Sequence, residues 1–456
     1  MKQRRLFLKA GAMAAAAGLL ANRAQATVQA QPRPIRWKNW SEVQQCQARS
    51  LATPADEQAL ADLLRNASGT VRCVGAGHSF TPLVPTNDTI VSLERMNGVL
   101  SHDKATMTTT LQAGTRLSMV SRQLDSLGFA LRNLPDIDMQ SLAGAISTGT
   151  HGTGANIQAM HADVTALRLV TPQGEVVDWN QERHPEQMAA ARVSLGSLGV
   201  ITQATVRVVP SFSLHRKVWL RPVGEILEQA GELAAKHRHF EFYYLPFTGY
   251  AAAIAHDEYK GSDVLVPHAQ DEEMLSDLRK LRDWLGRFPD LRRWTAGKLI
   301  DPDLTEEAKN RSWKLLSTVR PTRFNETEYH VPREAGIACV REVIAALEKR
   351  NEVFFPMEFR FVKGDDAWLS PFHKRDSCSI AVHAAHGEAY DYLLSDLGPI
   401  FRKHGGRPHW GKLHSLGAKE LAALYPRWND FLALRQQMDP NGRMLNPHLR
   451  SLFGVA

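Results

Sequence analysis

The run Val71-Arg72-Cys73-Val74-Gly75-Ala76-Gly77-His78-Ser79-Phe80 ends a strand-like stretch in two glycines, a histidine and a serine. Glycine lets backbone amides come close to a ligand and adopt positive φ. Successive N–H groups in such a turn make a concavity for anions, a diphosphate above all. A Rossmann dinucleotide turn would need a third glycine at position 80 and a helix directly after it. Phe80, Pro82 and Pro85 stand there instead. A second small-residue loop, Gly144-Ala145-Ile146-Ser147-Thr148-Gly149-Thr150-His151-Gly152-Thr153-Gly154, offers hydroxyls and glycine amides with no bulky side chain to keep a phosphate away. Two such loops in one region imply a long, extended dinucleotide lying between them, outside a Rossmann frame.

A second chemical signal lies far downstream. Glu358-Phe359-Arg360 falls on a strand pattern of period two, so Glu358 and Arg360 share a face while Met357, Phe359 and Phe361 turn to the core. A carboxylate beside a guanidinium on an otherwise apolar strand is either a polar handle for a hydroxylated ligand or a structural ion pair, and spacing alone allows both. The strand Cys378–His383 repeats the logic, with Ser379, Ala381 and His383 on one face. A lone strand histidine is more often structural than catalytic, so His383 is a weak candidate.

The pair of glycine loops resembles the flavin domain of the vanillyl-alcohol-oxidase flavoproteins, and within them the aldonolactone oxidase and alditol oxidase branch. The resemblance covers most of residues 37–210 and returns in patches between about 354 and 448. It implies FAD as cofactor, held by the loop Cys73, Val74, Gly75, Ala76, Gly77, His78 and Ser79, with the flavin carried covalently on the His78 ring. It also implies FAD contacts at Ser141, Gly144, Thr148, Gly149, Thr150, His151 and near Ile201, and a position for Pro135 at the flavin edge where oxygen approaches. Some relatives add a cysteinyl bond from the second loop, which has no cysteine here. His409-Trp410-Gly411-Lys412 is similar to the family's His-Trp-x-Lys motif, so the resemblance gathers Glu358, Arg360 and Lys412 around a substrate at the flavin face. His383 stands where alditol-oxidising relatives have a threonine, and Asp136 where they have a serine; both departures bear on substrate preference.

The remaining composition sets bounds. The 456 residues carry a formal charge of +7, but Lys2, Arg4, Arg5, Lys9 and Arg23 lie in the first 26, which hold no acid. The rest is nearly balanced, which argues against nucleic acid as a partner. Arg4-Arg5-Leu6-Phe7-Leu8-Lys9, the apolar run Ala10 to Ala21 and Ala24-Gln25-Ala26 read as a twin-arginine leader with its cleavage signal. The apolar run is shorter than the roughly 20 residues of a spanning helix, so no stable membrane anchor is expected. Passage through the twin-arginine export machinery and a periplasmic or secreted bacterial enzyme are expected instead. Cys46, Cys73, Cys339 and Cys378 show no CxxC or metal-ligand spacing, and no metal is expected.

These residues need elements to position them. Thr53-Pro54 starts a helix running to about Asn66, and Leu117, Val120, Leu124 and Leu127 recur at helical spacing until Gly128. Met107–Ala113 and Ile201–Val209 read as strands, and Val164–Val170 and Val176–Trp179 flank the hairpin signal Pro172-Gln173-Gly174. Strands and helices alternate in this part, an α/β reading that ends near 210. Beyond it come a strand Leu214–Leu220, a helix from about 222 to 236, a strand His239–Tyr244, a charged helical and loop-rich stretch 256–320, a helix Glu334–Lys349, and strands Val353–Val362 and Cys378–His383. With the resemblance, the expected fold class is α+β: a two-subdomain FAD-binding domain of the PCMH type over 37–210, then a substrate or cap domain over 211–404 with an antiparallel sheet. Residues 405–456 are expected to pack back on the FAD domain.

The chemistry so implied is an exported FAD-dependent oxidase of a CH–OH group in a sugar, aldonolactone or polyol, with O2 as acceptor and hydrogen peroxide as product. Two alternatives stay open: a periplasmic dehydrogenase passing electrons to a carrier, and a non-catalytic sugar-binding protein on the same fold.

Overall fold

Two sheets of different kinds build the first half of the computed structural model, which describes residues 34–266, 271–318 and 320–455. The leader lies outside the described residues. Ser50–Ala52, Thr89–Ser92 and Val71–Val74 form a small parallel sheet with Thr89–Ser92 in the middle. The helix beside it spans Glu57–Asn66 and starts later than Thr53-Pro54 suggests: the Asp56 carboxylate accepts from the Ala59 N–H at 2.8 Å. Aspartate is the better cap, and Asp56-Glu57 puts negative charge at the helix start.

The second sheet corrects the α/β reading. Val176–Asn180, Val164–Val170, Val200–Arg207, Thr108–Gln112 and Val99–Asp103 lie in that order, every pair antiparallel. The hairpin at Pro172-Gln173-Gly174 closes its first pair; Gly174 has φ +80°, and a Cβ there would sit 2.6 Å from the Ala61 carbonyl. The helices between the strands are therefore not crossovers of a parallel sheet.

The second half is organised on one large antiparallel sheet. Its order is Thr305–Arg311, Ser213–Pro222, Tyr250–Tyr259, His239–Tyr244, Met357–Lys363, Ser377–Ala385, Phe324–Pro332 and Arg407–Pro408. Gly154–Gln158 joins Met357–Lys363 in parallel from the flavin side. Helices Val223–Lys236 and Gly336–Leu347 pack against this sheet. Tyr250–Tyr259, Thr305–Arg311 and Phe324–Pro332 are strands that sequence pattern does not mark. The first is alanine-rich, the second is a charged edge strand as edges commonly are, and the third carries Glu326, Glu328 and His330 on one face, a pattern that reads as solvent-facing.

Register explains why Phe324–Pro332 is polar. Tyr243 pairs with Glu358, Glu358 with Ala381, and Ala381 with Glu328; Glu241 pairs with Arg360, Arg360 with Ser379, and Ser379 with His330; Glu326 pairs with His383. Paired residues point to the same side of a sheet. The four central strands thus present one continuous polar face, buried except at Tyr243 and His383, which are half-buried. The opposite face carries Phe242, Phe359, Ile380 and Tyr329 and faces the helices.

The C-terminal segment ties the halves together. Arg407–Pro408 pairs with Phe324–Pro332, while Arg443 donates to the carbonyls of Leu64 and Pro172, and Asn446 to those of Pro82 and Pro85.

Candidate active site

A cavity opens between the first glycine loop and the polar sheet face. Cys73 to Ser79 line it, together with Trp40, Arg116, Ser141, Gly144, Thr148 and Ile201, and Phe324, Glu326, His409, Gly411 and Lys412 close it from the other half. The loop is pinned from outside. Trp40 N–H donates to the Gly77 carbonyl at 2.8 Å, the Asn39 amide to Ser79 at 2.9 Å, and Phe80 N–H to Gly411 at 2.7 Å. Gly77 sits at φ +71°, and a Cβ on Gly75 would fall 2.1 Å from Ser141 Oγ. Gly77 is required by the backbone path, and Gly75 by the close approach of Ser141, so the turn is left as a cradle free of side chains. That cradle, with Ser141 and Thr148 hydroxyls facing it, fits an extended dinucleotide.

His78 stacks on Trp40 with ring centroids 5.1 Å apart. Burial, and then the cations Lys412 and Arg116, lower its pKa to about 4, so the ring is neutral at physiological pH. Burial raises the Cys73 thiol to about 11 and keeps it protonated, and all four cysteines are free thiols.

The second small-residue stretch is not one loop. Leu142–Thr148 is a helix whose buried side holds Leu142, Ala145 and Ile146, and Gly149 ends it in the left-handed region at φ +81°. Small residues here permit close helix packing rather than flexibility. Ser141, at the N-cap, makes no cap hydrogen bond with its side chain and faces the cavity. Gly149, Thr150 and His151 do not line the cavity. His151 is buried behind it, with Nδ1 2.8 Å from the Gly152 carbonyl and Nε2 2.8 Å from Glu328 Oε1. It ties the flavin side to the polar sheet face. Pro135 also lies outside the cavity lining, buried, its carbonyl accepting from Ser317 Oγ at 2.6 Å.

On the sheet face two charged groups stand apart. Lys412 is ion-paired with Glu326, and its Nζ sits 5.2 Å over the Phe80 ring. His383 Nε2 lies 3.7 Å from Glu326, and Nδ1 3.1 Å from the Pro356 carbonyl. Burial lowers the His383 pKa, against the raising effect of Glu326.

The second group centres on Arg360. Its guanidinium meets Glu241 at 2.6 Å and Asp136 at 2.7 Å, and pairs with Glu358. Tyr243 O–H donates to Asp136 at 2.8 Å, the same hydroxyl is hydrogen-bonded to Glu358, and Arg320 reaches Asp136 at 2.7 Å. Three carboxylates thus share two guanidiniums, and carboxylate oxygens of Asp136, Glu241 and Glu358 lie within 4.8 Å of one another. Burial raises the Asp136 pKa, but Arg360 and Arg320 overcome it and hold this carboxyl well below its usual range. Burial, reinforced by Asp136 and Glu241, pushes Glu358 well above the usual carboxylate range. Three carboxylates against two guanidiniums leave room for one shared proton, and burial raises the pKa of Glu358 and of Glu241.

The structure therefore gathers His78, the first loop, Ser141, Gly144, Thr148, Ile201 and Lys412 around one cavity. Glu358, Arg360 and His383 lie on the adjoining sheet face with the loop residue Asp136 packed against it, and none of the four lines the cavity. Sequence reasoning misses Glu326, Glu241, Tyr243 and Arg320. The aromatic and β-branched residues Phe324, Thr327, Tyr329 and Val331 are the available signal for the strand that carries Glu326.

The family described as D-arabinono-1,4-lactone oxidase matches residues 204–452, and the FAD-binding domain family matches residues 48–180. The chain belongs to the D-arabinono-1,4-lactone oxidase family. The L-gulono-1,4-lactone dehydrogenase of Mycobacterium tuberculosis is 34% identical over 92% of this chain and 99% of its own length. The L-gulonolactone oxidase of Mus musculus is 30% identical over 92% of this chain and 98% of its own. A solvent-stable cholesterol oxidase superposes with a TM-score of 0.76 at 17% identity, covering 92% of this chain and 98% of that one, a likeness of fold. This member of the aldonolactone oxidase family is an FAD-linked oxidoreductase, with a PCMH-type FAD domain and an α+β domain on an antiparallel sheet.

Proposed function

We propose that this enzyme oxidises a CH–OH group of an aldonolactone, or of a related sugar or polyol, with FAD attached covalently to His78 and O2 as the acceptor that yields hydrogen peroxide. The observation that carries the reading is the meeting of the His78 loop with Lys412 and Glu326 in one cavity beside a buried polar sheet face. The flavin supplies the two-electron acceptor. The chain's residues orient the carbinol carbon and manage the hydroxyl proton. Lys412 stabilises the negative charge that grows on the substrate oxygen, and Glu326 holds the Lys412 ammonium in place. His383, Glu358, Arg360 and Asp136 form the wall that receives the other substrate hydroxyls. The neutral His78 ring supports attachment, since a ring nitrogen must carry a free lone pair to form that bond.

Addition of a panel of lactones, alditols and sugars under anaerobic conditions should bleach the flavin absorbance with a subset of them. Acid-precipitated, denatured protein should stay yellow, with the flavin on the peptide carrying His78; colour that washes out removes the covalent link from the reading. Oxygen uptake should match peroxide release. A second reading, a dehydrogenase serving a carrier, is favoured by the name of the Mycobacterium tuberculosis relative. Reduced enzyme that persists for minutes in air would select it. Export belongs to the same proposal, on the leader Arg4-Arg5 to Ala26; a mature N-terminus at Thr27 in periplasmic material would support it.

A further inference from the structure

Glu328 is a buried carboxylate that no lysine or arginine answers. Its Oε1 lies 2.8 Å from His151 Nε2 and accepts from the Ser379 hydroxyl, and no ammonium or guanidinium pairs with it among the described residues. Buried charges are paired or coordinate a metal. His330 lies two residues further along Phe324–Pro332 and so shares the Glu328 face. Its ring is fully buried, and neither ring nitrogen has a hydrogen-bond partner among the described residues. His256 and His414 lack partners in the same way, but among the described residues neither stands with two other metal-type ligands. His330 does: one ligand atom each from His151, Glu328 and His330 lie within 4.8 Å of one another.

His151 adds an independent observation. Its Nδ1 lies 2.8 Å from the Gly152 carbonyl and its Nε2 faces the Glu328 carboxylate, so both nitrogens meet acceptors. A neutral imidazole has a single N–H to donate. Nε2 therefore meets Glu328 through a second proton or through a cation that both coordinate. A histidine that binds a metal by one nitrogen and donates from the other to a carbonyl is the common arrangement around metal ions, and carboxylate ligands are hydrogen-bonded as Ser379 bonds Glu328. The other close group of acids, Asp136, Glu241 and Glu358, already takes its cations from Arg360 and Arg320.

We propose that His151, Glu328 and His330 bind one divalent first-row transition ion of the zinc type, for which two imidazoles and a carboxylate are a usual ligand set. The ligands come from the two halves of the molecule: His151 follows the helix Leu142–Thr148 in the FAD domain, and Glu328 and His330 belong to the large sheet. The ion fastens one half to the other. It is enclosed, with His151 and Glu328 each 4% exposed and His330 0%, and Phe372 packs on the two rings at 5.1 and 4.5 Å. Its part is therefore structural, apart from the flavin reaction. Because position 151 is far along the chain from 328 and 330, sequence spacing does not announce the set.

The test is the metal content of untagged, FAD-loaded full-length enzyme produced in zinc-supplemented medium and dialysed. Inductively coupled plasma mass spectrometry should find one zinc per chain. His330→Phe and Glu328→Gln should each lower that content ~10-fold or more, since even a group that only supports a ligand is worth that much. Retained flavin and an unchanged circular dichroism spectrum show that a variant has folded. X-ray absorption at the zinc edge needs no variant: it should show nitrogen and oxygen ligands at about 2.0–2.2 Å, with imidazole scattering and no sulfur. A parent free of first-row metal overturns the proposal and leaves a second proton on His151 as the answer to Glu328. So does zinc that stays at the parent level in both folded variants, or an edge spectrum with sulfur ligands or without imidazole.

Discussion

Glu326 and Glu358 sit on the same face of the same sheet with one strand between them, and their surroundings differ. Glu326 has one cation to itself, Lys412, and borders the cavity that the His78 loop lines. Glu358 lies with Glu241 and Asp136 around Arg360; Glu358, Glu241 and Arg360 are buried, while Asp136 and its second partner Arg320 are partly exposed at the edge of the group. The first arrangement leaves an ammonium able to exchange its carboxylate for a substrate oxygen. The second is a closed set of charges held by shared donors. The comparison teaches that side chains of like chemistry on one face divide into a single pair at the flavin cavity and a cross-linked cluster that presents a preorganised wall to the substrate. The difference is set by how many partners converge on each.

The largest effect should come from opening the closed cluster. Arg360→Ala leaves Asp136, Glu241 and Glu358 without their shared cation, and losing one partner of a buried charge group costs about 3–5 kcal/mol. Chemical denaturation should show that loss in the FAD-loaded protein and in the His78→Ala background. A variant as stable as the parent would mean that water reaches the cluster and that it is not closed.

Lys412→Met should do the opposite. The methionine stem keeps the contact with Phe80 but removes the charge, so flavin reduction should fall on the order of 10²-fold. Stability should change by about 1 kcal/mol or less, since Lys412 is partly exposed. Rapid-mixing absorbance under anaerobic conditions measures the first, and a denaturant titration the second. Equal rate losses in Lys412→Met and Arg360→Ala at equal stability would erase the distinction between the two groups.

Acid should break both groups together. Burial holds His239 at about 4 and His409 and His414 at about 3, against an ordinary value near 6.5. As pH falls below about 6.5 the unfolded chain takes up protons that the folded chain refuses, so stability falls with pH through that window. Each such histidine contributes a slope of up to ~1.4 kcal/mol per pH unit. Glu358 titrates with the opposite sign and softens the loss. Melting temperatures taken across mildly acidic pH should drop steeply; a flat profile would show that these rings are hydrated and titrate normally.

Much of this arrangement is legible in sequence because it rests on local rules. Gly75 and Gly77 before His78 require an open turn, and Glu358 and Arg360 two apart on a strand must share a face. Strand alternation also places Ser379, Ala381 and His383 together, as the register has them. What is not legible depends on convergence. Glu241, Tyr243 and Arg320 acquire their roles only because Asp136, a loop residue more than a hundred positions away, lands against them. Phe324–Pro332 escapes notice since Glu326, Glu328 and His330 on one face suggest a solvated segment, whereas all three are buried. The segment Gly144–Thr148 reads as a loop because glycine and serine suggest one; close packing of Ala145 and Ile146 makes it a helix.

The smallest effect, and the finest test of the closed cluster, is Glu358→Gln against Asp136→Asn. Asp136 is ionised because Arg360 and Arg320 face it, whereas Glu358 retains its proton because burial and its carboxylate neighbours deny it a charge. An amide resembles a protonated carboxyl, so the glutamine side chain in Glu358→Gln still accepts from Arg360, and the cost should be about 1 kcal/mol or less. Asp136→Asn removes a charge that two guanidiniums share and should cost several times more. The pH dependence separates them again. A carboxyl whose folded pKa is raised contributes stability that is full below its ordinary pKa and is lost as pH climbs through the folded value. The parent should therefore lose stability through Glu358 as pH rises above the ordinary carboxylate range, and Glu358→Gln should not. Thermal melts of the two proteins over that range should converge or cross. If Glu358→Gln costs as much as Asp136→Asn at neutral pH, Glu358 is ionised, and the leftover proton sits elsewhere on the sheet face.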